Sequence, residues 1–210
     1  MTLLKKQIGG LLVLVAGMLA WGVANAAPVT MDFDGLTPGA SVHNYYDGGC
    51  TRLVWAVDCG GPDYGVKWDG ARIGDSSDAP SPSGFAGLVF DDSATMNVAA
   101  GFDGGLSFYF YNLKFPFPGS VNVYSGTNGH GTQLAHADLG LTFDWDFFDL
   151  SFSGTAKSVI FSGAGLYLTG FDNVTLGTSA TSVPEPAALG VFGLGLLLMG
   201  LFAGLRRRSR

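Results

Sequence analysis

The chain has 210 residues, with 17 acidic and 11 basic side chains. Six of the basic residues lie before residue 27 or after residue 182. The segment between holds 16 aspartates against five basic residues, so its net charge is about −11. Because nucleic-acid binding requires a basic surface, this balance excludes nucleic acid as a partner. A segment of about 155 residues is long enough for one domain with its own hydrophobic core.

The N-terminus has the three parts of a secretory signal peptide. Lys5 and Lys6 form a basic start, an apolar run covers residues 8–21, and Ala-Asn-Ala at 24–26 has the small-x-small pattern of a cleavage site. We therefore predict a signal peptide over residues 1–26 that directs the chain to the Sec machinery. An uncleaved N-terminal anchor is the alternative interpretation.

The segment after the signal peptide has the composition of an all-β domain. The chain contains 33 glycines, and Asp-Gly pairs, which favour tight turns between strands, occur four times in this segment. The predicted strands cover residues 29–34, 52–57, 65–68, 85–90, 94–100, 106–112, 120–125, 133–138, 147–152, 158–162, 165–169 and 171–176, with a long polar loop at 69–84. Short strands with aromatic faces predict a two-sheet antiparallel β-sandwich, jelly-roll-like, over residues 27–177, followed by a linker at 178–182.

The two cysteines, Cys50 and Cys59, both fall in the segment that the signal peptide would export. An oxidising compartment and an even cysteine count favour a disulfide that closes a short loop. Free thiols or metal ligands are the alternatives, although no CxxC spacing supports a zinc site.

The C-terminal segment predicts one transmembrane helix. Residues 187–205 carry no charge, and 19 helical residues extend roughly 28 Å, which is close to the thickness of a bilayer's hydrocarbon core. Arg206, Arg207 and Arg208 follow directly and favour a cytoplasmic position for this end. A plain tail anchor would show the same two features.

A short proline motif precedes this helix. Val183, Pro184, Glu185 and Pro186 form an extended stretch that cannot join the helix, because proline lacks a backbone donor and restricts its neighbour. Together with the glycine-rich helix and the arginines, residues 183–210 resemble the PEP-CTERM sorting signal of Gram-negative bacteria. The resemblance implies an exosortase substrate that is first anchored in the inner membrane and then reaches the cell surface or the extracellular matrix. It also implies a link with exopolysaccharide in biofilm or floc.

The body resembles, more loosely, the jelly-roll domains of PEP-CTERM proteins and carbohydrate-binding modules. The resemblance is carried by Met-Asp-Phe-Asp-Gly at 31–35 and Gly-Phe-Asp-Asn-Val at 170–174. It implies that the first and last strands pair, and that a structural calcium could lie between Asp34 and Asp172, with Asp32 as an auxiliary ligand. Otherwise no cofactor is expected. Ordinary turn aspartates are the alternative for this pair.

Aromatic side chains make polysaccharide the favoured ligand. Trp68, beside the long polar loop, and Trp145, between two aspartates, are predicted to be exposed and to offer flat faces to sugar rings. Trp55 lies within an apolar run and is predicted to belong to the core. All three tryptophans could equally be core residues of the sandwich.

The sequence favours a protein that is not an enzyme. The three histidines lie in no recognisable motif, and the signatures of zinc peptidases, serine hydrolases and P-loop proteins are missing from the sequence. The alternative is a secreted glycoside hydrolase that uses Asp144 and Asp146, which could share one face of a strand. An exposed polar connection explains these two aspartates as well.

Overall fold

The chain folds into two antiparallel β-sheets, as seen in a computed structural model that describes residues 28–113 and 118–177. Eleven strands lie in these residues, which confirms the prediction of an all-β sandwich. The strands are β1 (Val29–Met31), β2 (Val66–Asp69), β3 (Ala71–Ser76), β4 (Ser83–Leu88), β5 (Ser93–Phe102), β6 (Gly105–Asn112), β7 (Gly119–Tyr124), β8 (Gln133–Leu139), β9 (Thr142–Ser151), β10 (Ala156–Ser162) and β11 (Thr169–Leu176).

The first sheet has the strand order β3-β4-β11-β6-β9, and β1 also pairs with β11. The second sheet has the order β2-β5-β10-β7-β8. In the first sheet Val29 lies opposite Leu176, and Met31 lies opposite Val174. The expected pairing of the first and last strands is therefore confirmed. It brings the two ends of the described domain together in the first sheet.

Aromatic rings fill the space between the two sheets. Phe161 on β10 lies 4.6 Å from Phe171 on β11 and 5.4 Å from Phe108 on β6, measured between ring centroids. Trp68 on β2 stacks on Phe161 at 5.5 Å. All four side chains are at most 3% exposed. Because Phe161 contacts rings from both sheets, it stands at the centre of the interface that holds the sandwich together.

The disulfide between Cys50 and Cys59 is confirmed, with an S–S distance of 2.06 Å. It closes the loop that leads from β1 toward β2. The Asp58 carboxylate accepts hydrogen bonds from the backbone N–H of Thr37 at 2.8 Å and from the Thr51 hydroxyl at 3.1 Å. The bridge and these hydrogen bonds together fix the disulfide loop against the chain at Thr37. This part of the chain continues to Gly39, which bonds to Ile73 of β3.

Two strand predictions and one loop prediction were wrong. Residues 52–57 form no strand, because the disulfide closes so short a loop that only isolated bridges form there. Residues 165–169 form a turn before β11, since Leu166 and Tyr167 have φ angles of 61° and 58° that no strand accommodates. The expected polar loop at 69–84 contains β3, which begins directly after Gly70, where the chain passes from the second sheet to the first.

The predicted signal peptide, linker, sorting motif and C-terminal helix lie outside the residues that the structure describes. Within residues 28–113 and 118–177, no helix is long and apolar enough to cross a membrane.

Replacing Phe161 with alanine should destabilise the domain by about 3–5 kcal/mol, because it leaves a cavity where rings of both sheets meet. Phe143→Ala is the matched control, since this phenylalanine is 82% exposed and its loss should change the free energy of unfolding by less than about 0.5 kcal/mol. Urea denaturation of the two variants measures both values. Equal effects would contradict the role given to Phe161.

Candidate functional site

The outer face of the first sheet carries a cluster of aromatic rings. On β11, Phe171 points into the core, so its neighbour Gly170 faces away from the core. Gly170 lies opposite Tyr111 on β6 and opposite Gly87 on β4. The outer surface over the central strands is therefore built from residues that sequence alternation places opposite the buried ones.

Glycines leave the room that these rings occupy. A Cβ atom at Gly74 would lie 2.0 Å from the ring of Phe85, and one at Gly170 would lie 2.5 Å from the ring of Tyr111. A Cβ at Gly87 would lie 2.5 Å from the ring of Tyr167. Any larger residue at these positions would push the rings off the sheet, so the glycines create a shallow trough in which the rings lie.

The rings contact each other edge to face. Tyr111 lies 4.7 Å from Trp145 on β9, and Phe85 lies 5.6 Å from each of Tyr111 and Trp145. Phe85 also lies 6.0 Å from Tyr167. Phe143, two residues before Trp145, is 82% exposed and lines the same cavity. We call these five residues the aromatic cleft. Such contacts add stability beyond area burial, so the cleft is a rigid surface.

The aromatic cleft lines a cavity of about 460 Å³ that opens to solvent. A neighbouring cavity of about 350 Å³ lies over the chain at 35–38 and the start of β4. Pro38, Gly74 and Asp75 line both cavities. The two cavities therefore adjoin and form one groove across the β3 side of the first sheet, which suits an extended ligand better than a compact one.

Both tyrosines of the aromatic cleft are fixed by hydrogen bonds within the protein. The Tyr111 hydroxyl donates to the backbone carbonyl of Tyr167 at 2.8 Å, and the Tyr167 hydroxyl donates to the carbonyl of Ile73 at 3.0 Å. Burial raises the pKa of Tyr111 and of Tyr167 above the usual value for a phenol. The hydroxyls thus stay protonated and hold the two rings in place.

Three carboxylates border the aromatic rings. Asp75, Asp78 and Asp144 line the larger cavity and are exposed, and in the part of the chain that the structure describes no basic side chain lines either cavity. Asp144 accepts a hydrogen bond from the backbone N–H of Trp145 at 2.8 Å, which fixes the orientation of this carboxylate. The groove therefore combines flat apolar surfaces with negative charge at its rim.

The structure places two of the three tryptophans, Trp68 and Trp55, differently from the sequence-based expectation. Trp145 lines the groove, where it is half-buried. Trp68 is only 3% exposed in the core, so the prediction that its face is free to bind sugar is wrong. Trp55, expected in the core, is 82% exposed on the disulfide loop. The period-2 pattern around Trp68 gave the signal for burial, since Val66 on the same face is also buried.

Sequence reasoning missed Phe85, Tyr111 and Tyr167 as residues of the groove. For Tyr111 a signal existed, because alternation along β6 places Tyr109 and Tyr111 on the face opposite the core. For Tyr167 no such signal exists, because its position depends on the left-handed turn before β11.

Asp172 holds the loop between β3 and β4, and Asp34 holds the start of β4. Both carboxylate oxygens of Asp172 accept hydrogen bonds from Ser81, and one also accepts from the backbone N–H of Asn173 at 2.7 Å. Asp34 accepts from the N–H of Gly84 at 3.1 Å. Burial raises the pKa of Asp172 to about 6, although the hydrogen bonds from Ser81 and Asn173 lower it, and the nearby Asp34 carboxylate adds to the rise.

The fit of calcium to this pair is limited by these hydrogen bonds. Calcium binds six to eight oxygens, whereas the oxygens of Asp172 already accept hydrogen bonds from Ser81 and Asn173. Among the described residues, no group of three or more acidic, histidine or cysteine side chains is arranged to hold a metal ion. Structural calcium at Asp34 and Asp172 stays a prediction.

Comparison with known proteins gives only a distant structural likeness. No protein-family model and no curated protein matches the chain. A mutant of a family 29 carbohydrate-binding module complexed with mannohexaose is 11% identical, covering 78% of this chain and 100% of that one, with a TM-score of 0.45. Another mutant, complexed with cellulohexaose, is 10% identical over 74% and 94% of the two chains, with a TM-score of 0.41. At these scores the likeness carries no argument about function.

The carboxyl of Asp172 should make stability depend on pH. Its pKa of about 6 in the folded state lies above the usual 3.8, so the folded state holds a proton that the unfolded state releases. The stabilisation is complete below about pH 4 and is lost as the pH rises through about 6, an effect on the order of 1–3 kcal/mol. Thermal melts between pH 4 and 7 should show this slope.

Asp172→Asn should remove this part of the pH dependence, because the amide does not titrate. Asp103→Asn, an exposed aspartate in the turn between β5 and β6, is the matched control and should keep the slope of the unchanged protein. Identical slopes for both variants would show that Asp172 does not titrate in this range.

Proposed function

We propose that this protein is an exported, non-catalytic polysaccharide-binding protein of the cell surface or extracellular matrix, whose sandwich of jelly-roll type binds glycan in the groove of the first sheet. The observation that carries the proposal is the aromatic cleft itself. Pyranose rings stack their apolar faces on flat aromatic side chains, and hydroxyls at their edges bind carboxylates and amides. The groove offers both kinds of surface.

The shape of the groove favours a polymer. Beyond Tyr111 and Trp145, the next pair along β6 and β9 is Tyr109 and Phe147, with ring centroids 5.2 Å apart. Phe147 is 55% exposed. Pairs two residues apart on one strand face are separated by roughly 7 Å. Successive aromatic pairs can therefore support successive sugar rings of one chain, which a free monosaccharide would not use.

The arrangement of carboxylates favours binding over hydrolysis. A glycosidase needs a general acid whose pKa is raised by burial beside the scissile bond. Asp75, Asp78 and Asp144 are exposed, and Asp146, the second residue of the hydrolase alternative, does not line the groove. Asp172 has a raised pKa but is fully buried and holds Ser81, so a substrate cannot reach it.

Trp145→Ala should weaken glycan binding by about tenfold or more, because it removes the largest half-exposed ring of the groove. The full-length protein, produced with its disulfide formed, is first applied to a glycan array. The best polysaccharide is then titrated by isothermal calorimetry. Trp55→Ala is the matched control, since Trp55 is an exposed tryptophan that lies outside the groove, and it should bind like the unchanged protein.

Three results would contradict this proposal: no glycan bound on the array, equal affinity of Trp145→Ala and the unchanged protein, or loss of binding in Trp55→Ala. Thermal melts of each variant show whether a loss of binding reflects unfolding. Release of reducing sugar from the bound polysaccharide would instead support the hydrolase alternative.

The sorting route is a separate part of the proposal. The motif at 183–186, the apolar segment 187–205 and the arginines at 206–208 support processing by exosortase after Sec export and temporary anchoring in the inner membrane. The disulfide between Cys50 and Cys59 supports export, because such bridges persist in oxidising compartments.

Intact-mass analysis of the mature protein from its native host tests this route. We expect a mass that lacks residues 1–26 and the segment after the Pro-Glu-Pro motif. Recovery of a chain that retains residues 187–210 would contradict exosortase processing, and retention of residues 1–26 would contradict signal-peptide cleavage. A Glu185→Ala variant expressed in the same host should retain the C-terminal segment.

A further inference from the structure

We propose that the groove selects glycans that carry protonated amino groups, such as polymers of glucosamine, over neutral and acidic glycans. This inference rests on the proposed function and specifies its ligand class. It follows from the combination of aromatic rings with carboxylates in one groove, together with the negative charge of the whole domain.

The rim of the groove is negative where the rings are most accessible. The Asp144 carboxylate accepts a 2.8 Å hydrogen bond from the backbone N–H of Trp145, and both residues line the larger cavity. Asp75 lines both cavities, and Asp78 lies on the same side of the larger one. A sugar ring that stacks on Trp145 in this cavity would therefore have carboxylates nearby.

Among residues 28–113 and 118–177, no basic side chain lines the groove. The only basic side chain on the outer face of β3 is Arg72, and its guanidinium donates to the Gly39 carbonyl at 2.8 Å and lies 4.7 Å from the centre of the Phe90 ring. Lys67 pairs with Asp47 at 3.1 Å, and neither residue lines the groove. The carboxylates of the rim thus remain available to a cationic ligand.

An ammonium group on the glycan would gain from two interactions at once. It can pair with an exposed carboxylate, which contributes a few-fold in affinity for each pair, and it can lie over the electron-rich face of Trp145 or Tyr111. The domain's 16 aspartates against five basic residues add a long-range attraction for a polycation. A uronic-acid polymer would meet repulsion from the same charges.

The experiment compares two hexasaccharides that differ only at their nitrogen atoms, which are free and cationic in one and acetylated and neutral in the other. The glucosamine hexamer and its N-acetylated counterpart are titrated into the full-length protein at about pH 5.5, where the amino groups are protonated and ordinary aspartates are ionised. We expect about tenfold tighter binding of the glucosamine hexamer at roughly 0.02 M salt, and loss of most of this preference at roughly 0.5 M salt because of screening.

Variants assign the preference to the groove. Asp144→Asn and Asp75→Asn should each reduce the preference for the charged hexamer over the acetylated hexamer by about two- to fivefold, because asparagine can still accept hydrogen bonds from sugar hydroxyls but carries no charge to pair with an ammonium group. Asp103→Asn removes an exposed carboxylate outside the groove and should keep the full preference. If all three variants lose preference equally, overall charge rather than the groove selects the ligand, and the inference is overturned.

Failure of the inference and failure of the proposed function give different results. If the acetylated hexamer or another neutral glycan binds best, and Trp145→Ala abolishes that binding, the groove binds polysaccharide but does not select amino groups. If the glucosamine hexamer binds Trp145→Ala as well as the unchanged protein, binding occurs outside the groove, and both the inference and the proposed site are wrong.

Discussion

Strand β11 holds the domain together through the alternation of its two faces. Phe171 on the inner face packs 4.6 Å from Phe161 of the opposite sheet, while Gly170 on the outer face leaves room for the rings of Phe85 and Tyr111. The same strand pairs with β1, β4 and β6. One strand therefore supports the core on one side and the groove on the other, and a shift of its register by one residue would exchange the two.

The floor of the groove and one of its walls are held in place by different interactions. Its floor lies on paired strands, and its ring orientations follow from hydrogen bonds to backbone carbonyls. One wall is formed by the chain near Pro38, which the disulfide loop supports through the hydrogen bonds of Asp58 with Thr37. Reduction of the bridge would loosen this wall without removing the aromatic floor.

Much of the fold could be predicted from local pattern, while the site could be predicted only in part. Alternation located most strands, because a half-buried strand has a period of two that needs no knowledge of its partners. Residues 52–57 misled the prediction, because apolar residues suggest a strand whether or not a partner strand is within reach. Strand β3 was missed because Asp69-Gly70 reads as a loop, although here it is the point where the chain changes sheets.

The burial of individual tryptophans also could not be predicted from local sequence alone. Trp55 lies in an apolar run and yet is exposed, because it belongs to the disulfide loop and to no strand. Trp68 lies beside polar residues and yet is buried, because β2 turns this side chain toward the core. Prediction of the groove would have required knowledge of which distant strands become neighbours in the sheet. Phe85, Tyr111 and Trp145 come from three strands that are far apart in the chain.

The two tyrosines in the floor of the groove, Tyr111 and Tyr167, affect which sugar stereoisomers the groove can distinguish. Each tyrosine donates its hydroxyl hydrogen to a main-chain carbonyl, so it presents mainly carbon atoms to a ligand. Such a floor favours pyranoses that have one flat, apolar side. It discriminates weakly between epimers whose differing hydroxyl points away from it. Discrimination between such epimers then falls to the aspartates at the rim.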